Sequence, residues 1–142
     1  MAGPSDALDL AQRALARREL TPEELRRRLR RAGVSEEAIE QALGRLRELG
    51  YLSEERAAEE RARVLCQRGY GDARIRVELE ARGVSAETVE AVLDSLPPEE
   101  ERAWGVLARL RSGSRASSAL RRRGFSEATI ERLSSSVVAD DP

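Results

Sequence analysis

Guanidinium groups are the side chains with the greatest chemical reach in this sequence. All 25 basic residues are Arg and none is Lys. A guanidinium presents its donors in a rigid fork and grips carboxylate or phosphate with two bonds, where an ammonium acts as a point charge. A coding bias toward Arg produces the same composition without any function. Position adds information: Arg26, Arg27, Arg28, Arg30 and Arg31 crowd one short stretch, and Arg121, Arg122 and Arg123 crowd another. A third place is Arg68-Gly69-Tyr70-Gly71, followed by Arg74 and Arg76. Its two glycines bend the chain, either to present the ring and nearby cations outward or to pack the ring over a helix junction. The candidate partner-binding residues are therefore Arg26, Arg27, Arg30, Arg68, Tyr70, Arg74, Arg76, Arg121 and Arg122.

Other chemistries find little material. Histidine is absent, which removes the usual general base and the commonest metal ligand. The one cysteine, Cys66, cannot form an internal disulfide and reads as a buried structural thiol beside Val64 and Leu65. Glu59 and Glu60 are adjacent and diverge on a helix, so they do not make an acid-base pair. No nucleotide-binding loop occurs. The expectation is a protein without catalytic residues, metal or cofactor. The 25 basic residues are offset by 26 acidic ones for a net charge of -1, so bulk charge does not announce a nucleic-acid binder. Met1 to Asp6 lacks a signal-peptide pattern and no apolar run reaches membrane-spanning length, which points to the cytoplasm.

The elements that position these residues emerge from a repeat. Gly33-Val34-Ser35, Gly83-Val84-Ser85 and Gly124-Phe125-Ser126 share one pattern, with Leu29, Leu79 and Leu120 four residues before each glycine. Six residues after the glycines come Ile39, Val89 and Ile130, nine after come Ala42, Val92 and Leu133, and thirteen after come Leu46, Leu96 and Val137. These spacings are amphipathic helices, each glycine ending one and each serine capping the next. Thr21-Pro22-Glu23-Glu24 is a capping box that opens the second helix of the first unit. A further helix precedes each pair, near Ala7 to Arg18, Ser53 to Arg68 and Pro98 to Arg111.

The sequence thus predicts an all-α tandem array of three three-helix repeats, elongated and curved, over residues 7–52, 53–97 and 98–136. Residues 1–6 and 137–142 are expected to be disordered. Units of this size are expected to stack in order to bury their apolar stripes, as a monomer. Pro97-Pro98 separates units two and three, and Ser114, Ser117, Ser118 and Ser134 dilute the third. Trp104, near Leu107 and Leu110, is expected to anchor the third core, and Tyr51 to pack within or between units.

Three stretches resemble the RecX family of bacterial recombination regulators. They are Ala14-Leu15-Ala16-Arg17-Arg18-Glu19-Leu20-Thr21 with Glu24-Leu25, then Leu46 to Ala58, then Arg68-Gly69-Tyr70-Gly71 with Arg74-Ile75-Arg76 and Glu78-Leu79. The resemblance implies a regulator without an active site. It would bind the RecA recombinase and the RecA-DNA filament, limit filament growth, ATP hydrolysis and strand exchange, and have some DNA affinity of its own. After Tyr51-Leu52, where that family has two aspartates and then a phenylalanine, this chain has Ser53, Glu54 and Ala57.

Two readings of the arginines stand side by side. The third helices carry Glu36, Glu37, Glu40, Glu87, Glu90, Asp94, Glu127 and Glu131, so the arginines either pair with them on solvated faces or meet an acidic or phosphate-bearing partner. A stand-alone DNA-binding helical-repeat protein is the rival function, and few aromatics and a near-neutral charge count against it.

Overall fold

The computed structural model describes residues 4–110 and 115–140. Among them are nine helices and no strand: α1 (Pro4–Arg17), α2 (Pro22–Arg31), α3 (Glu36–Glu48), α4 (Glu54–Gln67), α5 (Asp72–Ala81), α6 (Ala86–Ser95), α7 (Glu99–Leu110), α8 (Ala116–Arg122) and α9 (Glu127–Asp140). They group in threes as the repeat requires. The first helix starts at Pro4, upstream of the expected Ala7, and the last runs to Asp140, through the stretch expected to fray. Residues 1–3 and 141–142 of the expected disordered ends, and Arg111 and Ser114, lie outside the described residues.

Each corner is built alike. The amides of Val34, Val84 and Phe125 donate to the carbonyls of Leu29, Leu79 and Leu120, each at 3.1 Å, closing the helix end across a glycine of positive φ. Ser35, Ser85 and Ser126 then accept from the amides three residues on, Ala38, Thr88 and Thr129.

Within every unit the first and third helices share the longest contact and the second touches both. Alanines make this possible: Ala7 and Ala11 on α1, Ala58 and Ala62 on α4, and Ala103 on α7 are fully buried. The interior is completed by Leu25, Leu29, Ile39, Leu43 and Leu46 in unit one. Leu65, Ile75, Leu79, Val89 and Val92 do this in unit two, and Val106, Leu120, Phe125, Ile130 and Leu133 in unit three. The three cores are separate, which corrects the expectation that units share their apolar stripes. Three helices enclose an interior without a neighbour, so the units meet at helix ends.

Candidate functional site

The junctions between units set where every arginine points. At the first, Thr21, the cap of α2, accepts the Glu24 amide at 3.0 Å while its hydroxyl donates 2.6 Å to the carbonyl of Arg82, the residue that ends α5. The capping box foreseen in the sequence therefore does two tasks. Arg82 returns an ion pair to Glu24 at 3.0 Å, and Arg27 donates 3.2 Å to the Ala81 carbonyl. At the second junction the α5 cap is Gly71, which has no side chain to offer. Backbone takes over: the Gly71 amide donates 2.8 Å to the carbonyl of Arg123, and the Ala73 amide 3.0 Å to that of Gly124.

Both junctions set the N-terminus of one second helix against the C-terminus of the next, so α8, α5 and α2 follow one another with their dipoles aligned. Arg102 locks the second junction. Its side chain, 8% exposed, is ion-paired to Asp72 and donates to the Tyr70 carbonyl at 3.3 Å and the Pro97 carbonyl at 2.9 Å. Glu99 accepts from the Asp72 amide, the Ser126 hydroxyl and the Thr129 hydroxyl. Burial pushes this carboxyl up, but the bonds from Thr129, Asp72 and Ser126 outweigh it and hold it below its ordinary value. Glu54 repeats the motif in unit two on Ser85 and Thr88. A glutamate at the start of a first helix with Ser-x-x-Thr at the start of the third is a signal that sequence reasoning passed over.

The candidate arginines divide by what they touch. Arg26 pairs with Glu40 at 2.7 Å and Arg76 with Glu90 at 2.9 Å, seven residues either side of Gly33 and Gly83. Arg30 pairs with Glu36 through two bonds of 2.5 and 3.0 Å, and Arg121 with Glu127, three residues either side of Gly33 and Gly124. These clamps tie second helix to third inside a unit. Hydrogen bonds from the guanidinium groups hold Glu36, Glu40, Glu90 and Glu127 below the ordinary carboxylate value. Solvent screens these exposed pairs, so each contributes little to stability on its own. Arg27 pairs with Glu23 and spans the first junction.

Arg68 and Arg122 are exposed and carry no ion pair among the described residues, and the same holds for Arg28 and Arg31, which the sequence places in the first crowded stretch without marking them for a partner. Arg115, Ser118, Arg121 and Arg122 line a shallow depression on α8. Tyr70 is half-buried against the second core, under the Arg74 guanidinium at 4.8 Å. The bend therefore packs the ring over the helix junction rather than presenting it outward.

Three placements differ from expectation. Trp104 is 40% exposed and Tyr51 55% exposed, and Cys66 is half-buried. On α7 the buried face runs through Ala103 and Val106, one position off Trp104 and Leu107, so small residues carry the core where the largest were expected to. Tyr51 follows Gly50 at a corner that gives its backbone a partner, the Leu46 carbonyl, but leaves its ring outside. Among the described residues no group of His, Cys, Asp and Glu is placed to hold a metal, and no helix is long and apolar enough to cross a membrane.

Comparison with known proteins agrees with this architecture. The family models for the first and second three-helix domains of RecX match residues 7–46 and 53–93. The regulatory protein RecX of Deinococcus radiodurans is 35% identical over 133 residues, which is 87% of this chain and 64% of that protein's length. That of Stenotrophomonas maltophilia strain R551-3 is 34% identical over 83% of this chain and 78% of its own. That of Pseudomonas putida strain GB-1 is 40% identical over 95% and 90%. The crystal structure of RecX from Lactobacillus salivarius superimposes with a TM-score of 0.81 at 19% identity, covering 96% of this chain and 97% of that one. Two family domains in register with two structural units, and relatives that align across the third, show that this chain belongs to the RecX family of regulatory proteins.

Proposed function

We propose that this protein binds the RecA recombinase and the RecA-DNA filament, and that it limits filament extension, ATP hydrolysis and strand exchange in recombination and DNA repair. Membership in a family of regulatory proteins carries the reading. It works as a monomer in the cytoplasm and needs no cofactor. The division among the arginines supports an allocation of roles. Arg26, Arg30, Arg76 and Arg121 keep the shape of each unit, while Arg28, Arg31, Arg68 and Arg122 retain unshared donors for a partner's carboxylates or the filament's phosphates. Tyr70 and Arg74 act as one stacked pair.

The test is ATP hydrolysis by RecA on single-stranded DNA with this protein titrated in at two salt concentrations, alongside its binding to bare DNA. Suppression below one molecule per recombinase, with much weaker binding to DNA alone, is the expected result. A second reading is favoured by the depression of Arg115, Arg121 and Arg122: direct binding of nucleic-acid backbone. No effect on RecA together with tight, steeply salt-dependent DNA binding would establish that reading and overturn the first.

A further inference from the structure

Among the described residues the helix-end joint occurs three times, and two of the three are filled. A Cβ built on Gly83 would lie 2.3 Å from the Cβ of Glu23, and one built on Gly124 would lie 2.6 Å from the Cβ and amide nitrogen of Arg74. At both places the first turn of the preceding unit's second helix sits on the glycine. Gly33 ends α2 with the same backbone, φ +84° against +82° and +88°, and the same closing bond from Val34 to Leu29. A Cβ built there meets nothing within 4 Å. The carbonyl of Arg82 receives the Thr21 hydroxyl and that of Arg123 receives the Gly71 amide, whereas the equivalent carbonyl of Ala32 has no hydrogen bond among the described residues.

We infer that the Ala32-Gly33 end of α2 is an open socket that takes the N-terminus of a helix from the recombinase, one with a small or hydroxyl cap and a carboxylate in its first turn. The occupant's chemistry is read from the filled joints and from charge. In the first joint the guest offers a threonine cap with Glu23 and Glu24 behind it, and Glu24 pairs with Arg82. At the open end Arg28, Arg30 and Arg31 occupy the last turn, and with Arg30 engaged by Glu36, Arg28 and Arg31 are left to meet such a carboxylate. A second copy of this chain fits less well, because its own leading second helix, α8, enters with Arg115 and would set like charge against like. The identity of the partner rests on the proposed function; the socket itself rests on the repeat geometry.

Asparagine tolerates the left-handed backbone that Gly33 requires, so Gly33→Asn fills the socket while keeping the helix end. Gly50→Asn is the matched control, since Gly50 also has positive φ, +78°, and open space around its built Cβ. Affinity of each protein for RecA filaments on single-stranded DNA is measured by co-sedimentation, with circular dichroism to confirm equal helix content. Gly33→Asn is expected to weaken binding by about tenfold or more, and Gly50→Asn by less than about twofold. Equal binding by all three proteins, or equal loss in both variants, would overturn the socket and leave the proposed function standing. Failure of the unsubstituted protein to bind filaments would overturn the proposed function and the assigned guest together. Self-association that Gly33→Asn abolishes would show a second copy in the socket, contrary to the assignment.

Discussion

The two junctions solve one problem with different chemistry. Between units one and two, side chains do the joining: the Thr21 hydroxyl, the Arg82 to Glu24 ion pair and the Arg27 donor, all from residues whose types advertise hydrogen bonding. Between units two and three Arg102 and Glu99 also reach across, but here the polypeptide backbones themselves touch as well, and the residue that permits this is conspicuous only for lacking a side chain. The difference teaches that a side-chain joint tolerates partial loss and responds to salt and charge, while a backbone joint is governed by shape and fails as a whole.

Adding one methyl group at Gly71 would test that contrast most severely. Its φ of -86° suits any residue, but a Cβ there would fall 2.5 Å from the Phe125 amide nitrogen and 2.6 Å from the Gly124 carbonyl. Gly71→Ala should therefore force unit three away at a cost of about 3 kcal/mol, seen as early proteolysis and fast amide exchange in α8 and α9. Unchanged protection there would mean that the backbone contact is not what holds the unit. Arg102→Leu comes next. It strips Asp72 and the Tyr70 carbonyl of a nearly buried donor, and because Asp72 is one-third exposed the loss is discounted to about 2 kcal/mol in a denaturant titration.

At the first junction Thr21→Ala removes both the helix cap and the bond to Arg82, and should cost about 1 kcal/mol while leaving units one and two in register. A loss as large as that at Gly71 would erase the distinction between the joints. Acid provides the mildest perturbation. Glu99 is held below the ordinary 4.5, so its contribution is complete above that pH and is lost as the pH falls through its lowered value. Exchange protection of α9 should drop on acidification, and Glu99→Gln should flatten that dependence.

The sequence carries these two regions unequally. Gly33, Gly83 and Gly124 with their following serines disclosed the repeat and the helix corners, because a helix end needs a left-handed residue and the next helix needs a cap. Thr21 was recognised as a cap from its own neighbours, whereas its bond to Arg82 spans 61 residues and has no local signature. Clamps such as Arg30 with Glu36 were foreseen as one of two readings, because the pairs lie on adjoining helices and repeat with the glycines. Trp104 and Tyr51 lie outside the core although Trp104 shares helical spacing with Leu107 and Leu110, because the face of α7 that packs closely is the neighbouring one, through Ala103 and Val106. The open end at Gly33 was invisible for a different reason: an unfilled joint is recognised only beside two filled ones.

The most direct measurement compares two multiple variants for affinity to RecA filaments on single-stranded DNA at one salt concentration. One variant removes the unshared donors, Arg28, Arg31, Arg68 and Arg122, and the other removes the clamps, Arg26, Arg30, Arg76 and Arg121, each to alanine. The first should lose about tenfold or more in affinity at an unchanged melting temperature, and the second should melt earlier while binding filaments with near-normal affinity once folded. Equal affinity in the first variant and the unsubstituted protein, or no filament binding by either, would contradict the assignment of this RecX-family chain as a recombinase regulator that works through its unpaired arginines.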